Sequence, residues 1–177
     1  MARLTILEHP DPRLRMESHA VLAFDGSLAR LVDDLFETLY ATSGIGLSAP
    51  QAGVLQQVVV ADLSDDASAP EVYVNPELLS RAGLGLVEES CLSVPGVVGN
   101  VIRAARIRIR AHDRAGELFE RDLEGMHAVC LQHEMDHLKG KLFIDRLSIF
   151  RRLRMRAAEA LRSRNRGESA ARRSGTG

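Results

Sequence analysis

The run Gln132-His133-Glu134-Met135-Asp136-His137 constrains this chain more than any other stretch of it. Histidines at i and i+4 project from the same face of a helix, about one turn apart. Met126, Cys130, His133 and His137 share one helical side, so the pair continues an apolar stripe. Buried imidazoles need partners, and a metal ion held between them is a natural one. Glu134 then points sideways, near such an ion but not on it, where a general base belongs. The competing reading is a solvated helix that happens to carry two His.

The next question is the third ligand. The metzincin extension H-E-x-x-H-x-x-G-x-x-H is excluded, because Gly140 is present but Phe143 stands where its last His would be. Cys130 lies seven residues before His137, about 10 Å along a helix axis, so with bonds of about 2.0–2.3 Å one ion can hardly take Cys130 and both His. Cys130 is therefore read as a small buried packing residue. Cys91, on a different segment, is the candidate by elimination. A Cys–His–His set leaves one tetrahedral position open for water, which marks a catalytic rather than a structural site. Thiolate plus imidazole suits zinc or ferrous iron better than magnesium or calcium.

The rest of the chain predicts an α+β fold. Leu28, Leu31, Val32, Leu35, Phe36, Leu39 and Tyr40 follow helical spacing, so a helix spans about 27–42, with Asp25 or Ser27 as its cap. Residues 44–51, with Gly44, Gly46 and Pro50, read as an irregular loop, and 62–70 as an exposed one. Strands are expected at 57–61, at 71–75 ending before Pro76, and at 105–111. In the last, Ile107 and Ile109 alternate with Arg106, Arg108 and Arg110. A turn at 113–116 leads into a strand at 117–123. The histidine helix should cover about 124–139, and a basic helix about 148–164. Hairpin-linked strands argue for antiparallel sheets packed around a central helix, with a C-terminal helix added. The organisation expected is a main domain over 1–147, a basic helix over 148–166 and a disordered tail over 167–177.

Three motifs together resemble the peptide deformylase family in order and spacing. They are Gly44-Ile45-Gly46-Leu47-Ser48-Ala49-Pro50-Gln51, then Glu89-Ser90-Cys91-Leu92-Ser93, then Gln132-His133-Glu134-Met135-Asp136-His137-Leu138-Lys139-Gly140. The resemblance implies a bacterial hydrolase that removes the formyl group from formyl-methionyl nascent polypeptides. It implies a metal held by Cys91, His133 and His137, with ferrous iron as the usual native ion and zinc or nickel as alternatives. Glu134 would be the general base, and the Gln51 side-chain amide and the Leu92 backbone N–H would be the oxyanion donors. The peptide would dock as an added strand between the first two motifs, so Ile45 and Ser90 would offer main-chain bonds. Gly44 and Gly46 would let a chain approach closely and permit unusual φ. Ile45, Val129 and Cys130 would wall an apolar pocket for the methionine side chain. Glu89 reads as architectural, paired with Arg103, and Asp136 as an orienting or capping group. Ser48 departs from the usual Ala and Ser90 from the usual Gly; Ser90 is strained only if φ there is positive.

Rival readings are a zinc peptidase, for which Glu159 is a poor ligand candidate, and a catalytically silent RNA- or ribosome-associated module. The second draws on charge. Residues 146–177 hold ten Arg and two Glu, while the 145 before them hold 13 basic and 22 acidic side chains. The net charge of −1 thus averages an acidic body and a basic tail that could meet ribosomal RNA phosphates. Two cysteines, a short N-terminal apolar run and no stretch near the roughly 18 apolar residues of a membrane span lead to the expectation of a cytoplasmic protein with no membrane contact.

Overall fold

The computed structural model describes residues 2–151 and 153. A short 3-10 turn at Pro12–Arg15 precedes helix α1, Gly26–Tyr40. Asp25 caps α1, its carboxylate accepting the N–H groups of Ser27 and Leu28. Leu28, Val32, Leu35 and Leu39 form the buried stripe that the spacing predicts.

The main sheet has five antiparallel strands: β1 (Gly46–Ser48), β2 (Val58–Ala61), β3 (Glu71–Ala82), β6 (Arg106–His112) and β7 (Leu118–Glu124). Between them in sequence lie β4 (Gly85–Ser90) and β5 (Val98–Arg103), which pair with each other as a hairpin. Helix α2, Gly125–Leu138, carries the histidines.

The sheet is covered on both faces, and β2 shows why its sequence is Val-Val-Val-Ala. Val58 and Val60 join the α1 residues Val32, Leu35 and Leu39 in one core. Val59 and Ala61 face the other way, into a core with Ala128, Leu131, Met135 and Leu138 of α2. A strand buried on both sides reads as a continuous apolar run. On β6, Ile107 and Ile109 are buried while Arg106, Arg108 and Arg110 are exposed, as the alternation predicts. Arg108 and Arg110 pair with Glu120 on β7.

Three expectations need correction. β3 runs through Pro76 instead of stopping before it. The ladder shifts register between Val74 and Glu77, where Asn75 takes φ 52°. A bulge there removes the need for the N–H that proline lacks. The segment 44–51 is not wholly irregular: Gly46–Ser48 is strand β1, and Ala49–Ala52 is a 3-10 turn. The β4–β5 hairpin is absent from the sequence reading altogether.

From Ala128 to Leu138 only Gln132 of α2 is not fully buried. The helix ends in a Schellman arrangement: the Gly140 N–H bonds to the His137 carbonyl and the Lys141 N–H to the Asp136 carbonyl. Gly140 has φ 63°. A second compact unit begins at Ile144. Residues 149–151 and 153 are helical. The remainder of the basic helix expected over 148–166 and the tail expected over 167–177 lie outside the described residues.

Candidate metal centre and catalytic cleft

α2 runs beneath β1 so closely that glycine is required at the crossing. A Cβ on Gly46 would stand 2.7 Å from Cys130 Sγ and 3.1 Å from Glu134 Oε1. A Cβ on Gly44 would stand 2.9 Å from Leu92 Cδ1. Neither glycine has a positive φ, which corrects the reading that they supply unusual backbone angles; their role is close approach.

The structure brings Cys91, His133 and His137 together, each buried, with one donor atom from each within 4.8 Å of the others. Cys91 Sγ is 3.3 Å from His137 Nε2. Bonds of about 2.0–2.3 Å to one tetrahedral ion span separations of this order, so the donor set fits a single zinc- or iron-type cation. His133 Nδ1 is 2.8 Å from Glu89 Oε2, which leaves Nε2 for the cluster. This carboxylate–imidazole arrangement is the usual way a protein fixes the tautomer and angle of a ligating His. Phe143, at the position a metzincin would give to His, lies against the His133 ring at 6.1 Å.

Glu89 is itself held. Arg103 Nε and Nη2 donate to its two oxygens at 2.6 and 2.9 Å, and Arg103 Nη1 donates to Asp136 Oδ2 at 2.5 Å. One buried guanidinium therefore joins β4, β5 and α2. The Glu89–Arg103 pair matches the sequence reading; the arm to Asp136 is additional. Burial pushes the Glu89 carboxyl up, but the bonds from Arg103 and His133 outweigh it and hold the group at about 2. Burial lowers His133, and its contacts with Cys91 and Glu89 more than reverse that, to about 10. Burial and the nearby His133 charge push His137 down to about 3. Burial raises Glu134, the direction that makes a carboxylate a better proton acceptor near neutral pH.

A cleft of about 470 Å³ opens over these groups. It is lined by Gly44, Ile45, Gly46, Gln51, Ser90, Cys91, Leu92, Val129, Cys130, His133 and Glu134, which are all the sequence candidates except His137. His137 is 1% exposed. Cys130 packs in the core as expected and also faces the cleft. Met126, placed on the buried stripe by its spacing, is instead 54% exposed at the cleft wall, in the first turn of α2. The Ile45 carbonyl accepts the Asp62 N–H. Ser90 closes β4 opposite Val98 and is exposed; among the described non-glycine residues only Ala67 and Asn75 have positive φ, so Ser90 carries no such strain. Among the described residues β4 pairs only with β5, which leaves its other edge open.

Gln51 is 2% exposed. Its Oε1 accepts the Ser48 N–H at 2.9 Å and the Ser48 hydroxyl at 2.8 Å, and its Nε2 faces Ser93 Oγ at 3.3 Å and Cys91 Sγ at 3.7 Å. Ser93 closes the second motif, but the sequence assigns it no role. Its place inside that motif, two residues after Cys91, is the signal that points to it.

Comparison with known proteins follows the same line. Residues 3–152 match the family model described as polypeptide deformylase. A peptide deformylase of Cellvibrio japonicus is 51% identical over 158 residues, covering 89% of this chain and 94% of that one. One of Azotobacter vinelandii is 52% identical over 157 residues, covering 88% and 94%. The crystal structure of a peptide deformylase from Legionella pneumophila superposes with a TM-score of 0.85 at 44% identity, over 94% of this chain and 98% of that one. Since the match runs nearly end to end in sequence and in fold, and takes in the buried Cys–His–His cluster, this chain belongs to the peptide deformylase family.

Proposed function

We propose that this protein is the hydrolase that removes the N-terminal formyl group from formyl-methionyl nascent polypeptides, releasing formate. The observation that carries it is the convergence of Cys91, His133 and His137 beside a buried glutamate and an oriented amide. Cys91, His133 and His137 would hold one divalent ion, ferrous iron by resemblance, with zinc or nickel able to occupy the same donors. Such an ion, when bound, supplies Lewis acidity that activates water and polarises the formyl carbonyl.

The chain's own groups do the remainder. Glu134 takes the proton from the attacking water and returns it to the leaving amine. The Gln51 Nε2–H and the Leu92 N–H are aimed at the charge that develops on the formyl oxygen. Glu89, fixed by Arg103, keeps the His133 ring in place through the reaction. The open edge of β4 at Ser90 and the backbone at Ile45 bind the peptide as an added strand, with Gly44 and Gly46 keeping the channel clear. The methionine side chain enters the apolar wall formed by Ile45, Val129 and Cys130.

The catalytic unit is assigned to 1–147, with the arginine-rich sequence after it as a separate segment. Arg151, Arg152, Arg154, Arg156, Arg162 and Arg164 would contact ribosomal RNA, which places the enzyme where its substrate emerges, in the cytoplasm. No helix among the described residues is long and apolar enough to cross a membrane.

The test is formate release from formyl-Met-Ala-Ser by metal-loaded protein without air. Folded, metal-loaded protein that releases none would refute the assignment. Glu134→Ala should cut kcat by about 10²–10⁴-fold while the metal stays bound. Metal lost along with activity would instead make Glu134 a ligand.

A further inference from the structure

Gln51 can act as an oxyanion donor only if its amide presents nitrogen, not oxygen, to the formyl oxygen on which charge develops. Oxygen and nitrogen of an amide are similar in size, so the surroundings must choose between them. Ser48 makes that choice. Its N–H and its hydroxyl both point at Gln51 Oε1, at 2.9 and 2.8 Å. One donor would set which end of the amide faces in. Two donors occupy both lone pairs of the carbonyl and so fix the amide plane as well. Nε2 is thereby left facing Cys91 Sγ and Ser93 Oγ, on the side of the metal cluster.

Ser48 is 0% exposed, at the end of β1 where the strand turns into the Ala49–Ala52 turn. A buried hydroxyl must find a partner, and here the partner is a group of the cleft. The hydroxyl's one proton goes to Gln51 Oε1 at 2.8 Å, while Glu134 Oε2, on the neighbouring helix, is buried with no hydrogen-bond partner.

We infer that Ser48 is a positioning residue for the reaction, its hydroxyl, as the second donor to Gln51 Oε1, holding the plane of the amide in the donor orientation. The inference rests on the reading of Gln51 as an oxyanion donor, and the experiment separates the two.

Ser48→Ala, Gln51→Ala and the double variant are compared as metal-loaded full-length enzymes on formyl-Met-Ala-Ser. Ser48→Ala should lower kcat about five- to tenfold, the value of one neutral hydrogen bond, with KM and metal content unchanged. In the Gln51→Ala background the same substitution should cost nothing more, because the group it positions is gone. The Gln51 side-chain amide signals in a ¹H–¹⁵N spectrum should shift and exchange faster in Ser48→Ala. If Ser48→Ala fails to fold, Ser48→Cys keeps the volume with a much weaker donor and should show the same loss. An unchanged kcat in Ser48→Ala overturns the inference, as does an equal loss with and without Gln51, which would mark a packing effect. Full kcat in Gln51→Ala alone overturns the donor reading of Gln51, and with it any catalytic effect of Ser48.

Discussion

Arg103 decides the geometry of the metal cluster without touching it. Its guanidinium is buried between the Glu89 and Asp136 carboxylates, and Glu89 in turn holds His133. Removing the cation leaves two buried carboxylates uncompensated, which costs more than the pair itself is worth. Arg103→Ala should lower unfolding free energy by about 3–5 kcal/mol in a denaturant titration. The Glu89 carboxyl sits near 2 in the folded protein against 4.5 for a free glutamate. Its contribution is therefore present above pH 4.5 and lost as pH falls towards 2, an acid margin that the variant should lack. Ser90 gives the opposite case. Its departure from the family pattern raised the question of a strained backbone, but it sits in strand β4 without a positive φ. Ser90→Gly should therefore leave kcat for short formyl peptides within about twofold and lower stability by about 0.5–1 kcal/mol, the entropy cost of glycine in a strand. A large gain in turnover on making that change would show that the hydroxyl obstructs the cleft.

At the scale of elements, the parts legible in the sequence are those whose apolar spacing matches their burial. The stripe of α1 and the alternation of β6 both point the right way, and the histidine spacing of α2 delivers the cluster directly. The β4–β5 hairpin defeats such a reading because its pattern is inverted. Leu86 and Ile102, directly paired, are 69% and 62% exposed, whereas Glu89 and Arg103 are almost fully buried. Periodicity assigns polar residues to water, so a hairpin built around an internal ion pair reads as no strand at all. Pro76 misled for a related reason: the bulge at Asn75 that accommodates it is a tertiary feature. The end of α2 is a place where sequence and structure agree and can be tested. Gly140 caps the helix at φ 63°, and a side chain there would run into the Arg15 carbonyl. Gly140→Ala should cost about 1–2 kcal/mol from the left-handed backbone alone, and more from the collision, visible as a lowered Tm. Because His137 lies in the last turn, the same variant should bind its metal more weakly; unchanged affinity would show the helix end to be uncoupled from the cluster.

For the molecule as a whole, charge divides what the fold does not explain. The 145 residues before Arg146 hold nine more acidic than basic side chains, and the 32 from Arg146 onward hold eight more arginines than glutamates. The groups proposed for catalysis all fall in the acidic part, so on that reading hydrolysis of a short peptide has no use for the arginines. The use proposed for them is a polyanion, the ribosomal RNA surface from which a nascent formyl-methionyl chain would emerge. Each phosphate neutralised releases counterions, so the proposed binding through the arginines would weaken steeply with salt, at about 0.7–0.9 in log–log slope per contact. Protein ending at Ser148 should therefore bind ribosomes more weakly than the full chain at low salt, and the two should converge as salt rises. Its kcat/KM on formyl-Met-Ala-Ser should match the full chain's. Equal ribosome binding at low salt would remove the role assigned to the arginines. Loss of peptide hydrolysis on truncation would instead make the basic segment part of the catalytic fold, and the division of charge would then reflect packing rather than address.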